Sequence, residues 1–322
     1  MSINGHFTYP AIDQLGAQLQ KMIDISYDRP SAIESVKRRP FLYHSTSPAE
    51  IVRCGMDNGK SVSLFCKYSG SHTQFSFGHR GGVEYETKVY KKILRNSSLN
   101  LVKYYGDFKA DNKMACLVIE YLHGSKLLKD IPKPEYFGKA GAWIGEMHNH
   151  YEQKSLYPLK SYDEEYYNIW LNGVEELLPA LKEKHPWLPR LCRYFRRNMH
   201  LLFDSAQTLI HGEYYTKNIL VRKETVYPID WESAAVGPGE VDLASLIDGW
   251  DAKRKHVAIK NYLEKRWPKR KFSKQDFEKK LLLVRIYFFL RWTGEDIDPE
   301  FWSTQTKWFN RFYPLAKQAG CN

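Results

Sequence analysis

Cysteine is scarce. The five residues, Cys54, Cys66, Cys116, Cys192 and Cys321, are odd in number, widely scattered and form no C-x-x-C pair. That spacing excludes a disulfide framework and a thiolate metal centre, and it suits a reducing, cytoplasmic setting. Long apolar runs are missing too. The longest, Leu281 to Trp292, is short and carries Arg285 and Arg291, so no membrane span is expected. Residues 1–20 lack the basic start and apolar block of a targeting segment. Neither an internal repeat nor a low-complexity segment is found, so function has to be argued from sites and not from architecture.

What the chain does have is enough length for two cores. At 322 residues it exceeds the roughly 250–300 residues at which single cores stop growing, so two lobes are expected. Hydrophobic residues at 43% and charged residues at 26% are ordinary for a globular chain, and the 15% aromatic share comes largely from 22 Tyr. The formal net charge of +11 raises the question of nucleic acid or another anionic partner. Most of it lies in 251–280, where twelve Lys or Arg stand against four Asp or Glu, a net of +8 that leaves +3 elsewhere. A solvated helix face is the stronger reading of such a segment, and nucleic acid the weaker one.

Apolar positions Ile12, Leu15, Leu19, Met22 and Ile23 have helical spacing, and a second short helix is expected between the Pro30 break and residue 39. From Phe41 the pattern turns to short β-like runs at Phe41–Tyr43, Glu50–Cys54 and Ser61–Lys67. The last two flank Asn58-Gly59, a strong hairpin signal because both positions tolerate positive φ. A helix over Val83–Leu94 follows, then strands at Leu101–Phe108 and Met114–Glu120. Beyond Gly124 the chain reads as mainly helical, with helices expected at Tyr136–Tyr151, Asp163–Leu181, Pro189–Ala206, Leu243–Tyr262 and Gln275–Trp292.

The densest chemistry is His211-Gly212-Glu213-x-x-x-x-Asn218, set between the strand-like runs Thr208–Ile210 and Ile219–Val221. A second run, Val226–Ile229, ends in Asp230-Trp231-Glu232. An amide oxygen from Asn218 and a carboxylate from Asp230 suit Mg²⁺, a hard cation that takes oxygen ligands. Glu213, five residues before Asn218, has the placing of a base that orients and deprotonates a hydroxyl, and His211 that of a loop anchor. A capped hairpin with locally satisfied polar groups is the reading for any one of these residues alone; as a set they favour phosphoryl transfer.

These motifs, with Ile229-Asp230-Trp231-Glu232, are similar to the H-G-D-x-x-x-x-N and I-D-W/F-E signatures of the aminoglycoside phosphotransferase and choline kinase group, over roughly residues 40–300. The resemblance implies an α+β, bilobal protein-kinase-like fold: a small N-terminal antiparallel sheet plus helix, then a larger, mainly helical C-terminal lobe. The expected divisions are a helical extension at 1–40, a nucleotide-binding lobe at 41–122 and a helical lobe at 123–322 holding catalytic loop and acceptor site. It implies ATP or GTP as donor, Mg²⁺ as cofactor and a small-molecule hydroxyl as acceptor. Lys67, at the end of its strand, should meet Glu86, with Glu84 as rival. Phosphates should lie against Ser45, Thr46 and Ser47 in place of a glycine-rich loop, and the adenine against Glu120, Tyr121 and Leu122. Asp242, in Val236–Ala244, is expected to be structural.

The group has Asp where this chain has Glu213. One methylene moves a carboxylate by about 1.5 Å. Three readings stay open: a working base in a reshaped pocket, a weak base for an unusual acceptor, or a nucleotide-binding pseudokinase acting as a binding or regulatory module. The acceptor is open among antibiotic, sugar, amino alcohol and small-metabolite hydroxyls. Acidic stretches at 161–180 and 291–300 would suit an amine-bearing acceptor, and Tyr166, Tyr167, Trp170, Trp292 and Trp302 would stack on sugar rings or enclose a quaternary ammonium, against the plainer readings of solvated helix, polar loop and core.

Overall fold

An amphipathic helix and a hairpin turn with positive φ at Gly59 help organise the first part of the chain. The computed structural model describes residues 7–27, 31–42, 47–70, 81–95, 97–110, 113–268 and 272–321. Its contacts divide the chain into two units: Met1–Gln74 with Gly81–Lys126 and Leu220–Glu232, and Phe75–Arg80 with Leu127–Ile219 and Ser233–Asn322.

In the first unit, α1 (Ile12–Ser26) is followed by β1 (Ile33–Pro40), β2 (Ala49–Met56), β3 (Ser61–Tyr68), α2 (Gly82–Lys88, continued as a π-helix over Val89–Leu94), β4 (Tyr104–Lys109) and β5 (Ala115–Glu120). The five strands form one sheet in the order β1-β2-β3-β5-β4, and every neighbouring pair is antiparallel. The Asn58-Gly59 signal is met: Gly59 has φ +74° and Met56 N–H donates to Lys60 O at 2.9 Å. The expected second helix is a correction, since Ile33–Pro40 is the edge strand β1. Residues 12–40 therefore give α1, whose Leu15, Leu19, Met22 and Ile23 enter this unit's core, and the edge strand β1.

Successive side chains of a strand point to opposite faces. Leu64, Cys66 and Tyr68 of β3 share a buried cluster with Leu15, Leu19, Met22 and Ile23, so α1 seals that face. Lys67 points to the other. Downstream, β6 (Lys126–Leu127) ends the main part of the unit. The rest arrives through the hairpin β9 (Ile219–Arg222) and β10 (Thr225–Pro228), whose two-residue turn has Lys223 and Glu224 both at positive φ.

The second unit contains α3 (Pro134–Tyr151), β7 (Lys160–Ser161), α4 (Glu164–Leu181), α5 (Leu188–Asn198), α6 (His200–Phe203), β8 (Thr208–Ile210), β11 (Ala235–Gly237), α7 (Glu240–Ile247), α8 (Ala252–Arg266), α9 (Lys274–Gly294), α10 (Pro299–Thr304) and α11 (Thr306–Gln318). Two expected helices are each broken in two: Pro189–Ala206 at Met199, and Leu243–Tyr262 around Gly249, which takes φ +74°. A three-stranded sheet, β7-β11-β8, delivers the chain to His211. Its core joins α4, α5, α9 and α11 through residues such as Tyr167, Leu191, Phe289 and Phe309.

The basic segment is only partly a solvated face. Lys253, Lys260, Lys265, Lys274 and Lys279 are exposed, whereas Arg266 is buried and paired with Glu152. Residues Lys269–Lys271 lie outside the described residues. Among those described, no helix is long and apolar enough to cross a membrane.

Candidate active site

In the first unit, the face of β3 opposite α1 puts Lys67 among three carboxylates. Its Nζ lies 2.8 Å from Glu86 Oε2, 2.6 Å from Asp230 Oδ1 and 3.4 Å from Glu232 Oε2. Glu86, not the exposed Glu84, is the partner. Glu86 also accepts the Trp231 N–H at 3.1 Å, which ties α2 to the end of β10. Burial alone would lower the Lys67 pKa, but Asp230, Glu86 and Glu232 outweigh it and hold the ammonium well above its ordinary value. Burial raises the Glu86 pKa; Lys67 offsets this in part, and Asp230 and Glu232 add to it. One cation cannot satisfy three acids equally.

Asp230 sits at φ +70°, a left-handed conformation that Asp tolerates better than most residues and that concentrates at functional sites. Glu86, Asp230 and Glu232 offer carboxylate oxygens all within 4.8 Å of one another, the hard donor set that suits Mg²⁺. Glu232 was legible as part of the Ile229–Glu232 motif, although only Asp230 was assigned from it.

In the second unit, a single carboxylate shapes the 211–218 loop. Asp242, at the N-terminus of α7, accepts the His211 N–H at 2.7 Å and the Gly212 N–H at 2.9 Å, one on each oxygen. It also bonds the His148 ring at 3.0 Å. This is the structural role expected for it. Gly212 has φ +80°, and a Cβ there would lie 2.1 Å from Ser233 O, so only glycine fits. Tyr214 anchors the loop through its hydroxyl to Ala140 O of α3.

His211 is fully buried, and its Nδ1 accepts the Glu213 N–H at 3.4 Å, the anchor role read from the sequence. Asn218 Nδ2 donates to Glu213 O at 3.0 Å, which turns its Oδ1 away from that carbonyl as an acceptor atom. Glu213 is buried, and its Oε1 lies 3.5 Å from Arg291 Nη2 on α9. In sequence, Arg291 stands at the start of the acidic stretch 291–300. Its partner lies 78 positions away, so no local signal could reveal it.

Several other expectations meet competing structural roles. Glu120 N–H donates to Lys103 O and Tyr121 N–H to Ser63 O, so neither donor is open to a base edge. Leu122 is buried, while Glu120 and Tyr121 line a cavity of about 380 Å³ with Arg53 and Arg222. Ser47 is buried, and Ser45 and Thr46 lie outside the described residues. Asp163 and Asp298 cap α4 and α10. Tyr166, Tyr167 and Trp302 belong to the core, the plainer of their two readings.

His148 carries a pH dependence. Burial pushes its pKa below the ordinary value, and the bond to Asp242 only partly opposes this. The unfolded state then takes up the proton first, so stability is full above about pH 6.5 and falls as pH drops towards the folded-state value. We expect the melting temperature to fall between about pH 7.5 and 5.5, less steeply in His148→Gln, as read by thermal melts across that range. Equal slopes in the two proteins would remove His148 as the source.

A family model described as the phosphotransferase enzyme family matches residues 83–270, a stretch that includes Glu86, the 211–218 loop, Asp230 and Asp242. No curated protein sequence matches the chain. Among solved structures, a choline kinase from Streptococcus pneumoniae is 14% identical, with 96% of this chain and 100% of that one covered and a TM-score of 0.55. A choline kinase from Cryptosporidium parvum Iowa II is 11% identical, covering 96% and 97%, with a TM-score of 0.61. A spectinomycin phosphotransferase, solved with ADP and spectinomycin, is 13% identical, covering 95% and 98%, with a TM-score of 0.55. At such identities the likeness is one of fold. With the family model spanning more than half of its length, the chain belongs to the phosphotransferase enzyme family, and the likeness to these structures gives it the protein-kinase-like α+β fold.

Proposed function

We propose that the chain transfers the γ-phosphoryl group of ATP or GTP to a hydroxyl of a small molecule, an aminoglycoside-like antibiotic, a sugar or an amino alcohol. The observation that carries this is the 211–218 loop, held in one shape by the two oxygens of Asp242 and by the Asn218–Glu213 bond. Phosphoryl transfer demands little covalent chemistry from a protein and depends on positioning and charge. A loop clamped at this many points supplies the positioning.

In this reading Lys67, kept charged and oriented by Glu86, binds phosphate oxygens of the donor. Asn218 and Asp230 would hold Mg²⁺, whose charge would neutralise that on the transferring group. Glu213 accepts the proton of the acceptor hydroxyl as it attacks, and His211 and Asp242 keep the loop backbone in place. A second reading, a nucleotide-binding pseudokinase, is favoured by one observation: the Glu213 carboxylate is buried beside Arg291.

The deciding experiment is a phosphate-transfer screen of purified protein with Mg²⁺ and ATP or GTP against a library of aminoglycosides, sugars and amino alcohols. A phosphorylated product is expected. Nucleotide binding with no product across the panel would establish the pseudokinase, and absence of both would sink the assignment.

A further inference from the structure

The motif resemblance implies Asp at the position of Glu213, and the longer Glu side chain reaches a particular place. Its Oε1 meets Arg291 Nη2 at 3.5 Å, with the two side chains only 5% and 1% exposed. A guanidinium buried this deeply is tolerated where it is paired and hydrogen-bonded. An Asp at 213 would stop about 1.5 Å short of it.

Arg291 has a rigid footing. It lies one turn before the end of α9, and that end is pressed against α4: a Cβ on Gly173 would lie 2.1 Å from Gly294 O, and one on Gly294 2.3 Å from Trp170 O. Close backbone approach leaves α9 no room to slide. Nearby, the Tyr162 and Tyr166 rings stack at 3.8 Å and the Tyr166 and Tyr287 hydroxyls lie 2.7 Å apart. A guanidinium stays protonated even when buried, so Arg291 presents a full positive charge to the Glu213 carboxylate.

A free Glu side chain would sample several rotamers, and a base displaced by about 1 Å loses much of its effect. We infer that Arg291 is the positioning residue for Glu213: it holds the extended carboxylate in one place and makes Glu, not Asp, the working residue of this loop. The inference rests on the proposed role of Glu213 as base and deepens it.

The test measures kcat and nucleotide KM with Mg²⁺ and nucleotide for Glu213→Asp, Arg291→Gln, Arg291→Lys and the double variant Glu213→Asp/Arg291→Gln. Each of Glu213→Asp and Arg291→Gln should lower kcat by about 10²-fold with nucleotide KM unchanged. Arg291→Lys should recover part of the loss, and the double variant should lose no more than either single one. Wild-type or higher kcat in Arg291→Gln, or losses that multiply, would overturn the inference. A melting cycle of Glu213→Gln, Arg291→Gln and their combination reads the pairing without activity: coupled shifts are expected and additive ones overturn it. A wild-type protein that turns over no nucleotide defeats the proposed function, while the melting cycle still decides the pairing.

Discussion

Asp230→Ala and Asp230→Asn should both bring nucleotide turnover down by at least about 10²–10³-fold, the range seen when one group that stabilises transition-state charge is removed. The two should differ in stability. Asp230 sits at φ +70°, a conformation that costs a residue with a Cβ about 1–2 kcal/mol; the short polar side chains of Asp and Asn offset part of this by local hydrogen bonding, and Ala cannot. Neither change should unfold the protein, because Lys67 keeps Glu86 and Glu232 as partners. Turnover assays and thermal melts on the pair separate the carboxylate from the backbone. Wild-type turnover in either variant would remove Asp230 from the chemistry.

Gly212→Ala should be among the most damaging single changes in the second unit. The left-handed φ of +80° costs about 1–2 kcal/mol, and a Cβ 2.1 Å from Ser233 O cannot be accommodated without moving the backbone. That movement carries the His211 and Gly212 N–H groups off the Asp242 oxygens and displaces Glu213 with them. A loss of about 3–5 kcal/mol and of at least about 10²-fold in turnover is expected. Gly59→Ala is the control: its φ is +74°, but a Cβ there meets nothing within 4 Å, so only the backbone cost applies. Denaturant unfolding of the two proteins decides; equal losses would refute the clash.

The site motifs were legible because their residues are close in sequence: Glu213 and Asn218 belong to one loop, and Asp230 ends the hairpin that follows. Lys67 and Glu86 are 19 positions apart and were placed through the family's pattern. Arg291 was not legible, since its meaning depends on a contact 78 positions away. Strand β1 was misread for a different reason. It is an edge strand with mostly exposed or half-exposed residues and the run Lys37-Arg38-Arg39-Pro40, the charge and proline that guard edges against pairing, so it lacks the alternation by which strands are recognised.

The discontinuous make-up of the first unit bears on how the chain folds. Lys67 and Glu86 are made early, yet Asp230, which meets Lys67 at 2.6 Å, lies 163 positions later, and the intervening chain builds much of the other unit. Contacts of such sequence separation close late and slowly, because the entropy of the long loop has to be overcome first. During synthesis the sheet would wait, with Lys67 of β3 beside Glu86 of α2, until the hairpin returns with the residue that completes the cluster.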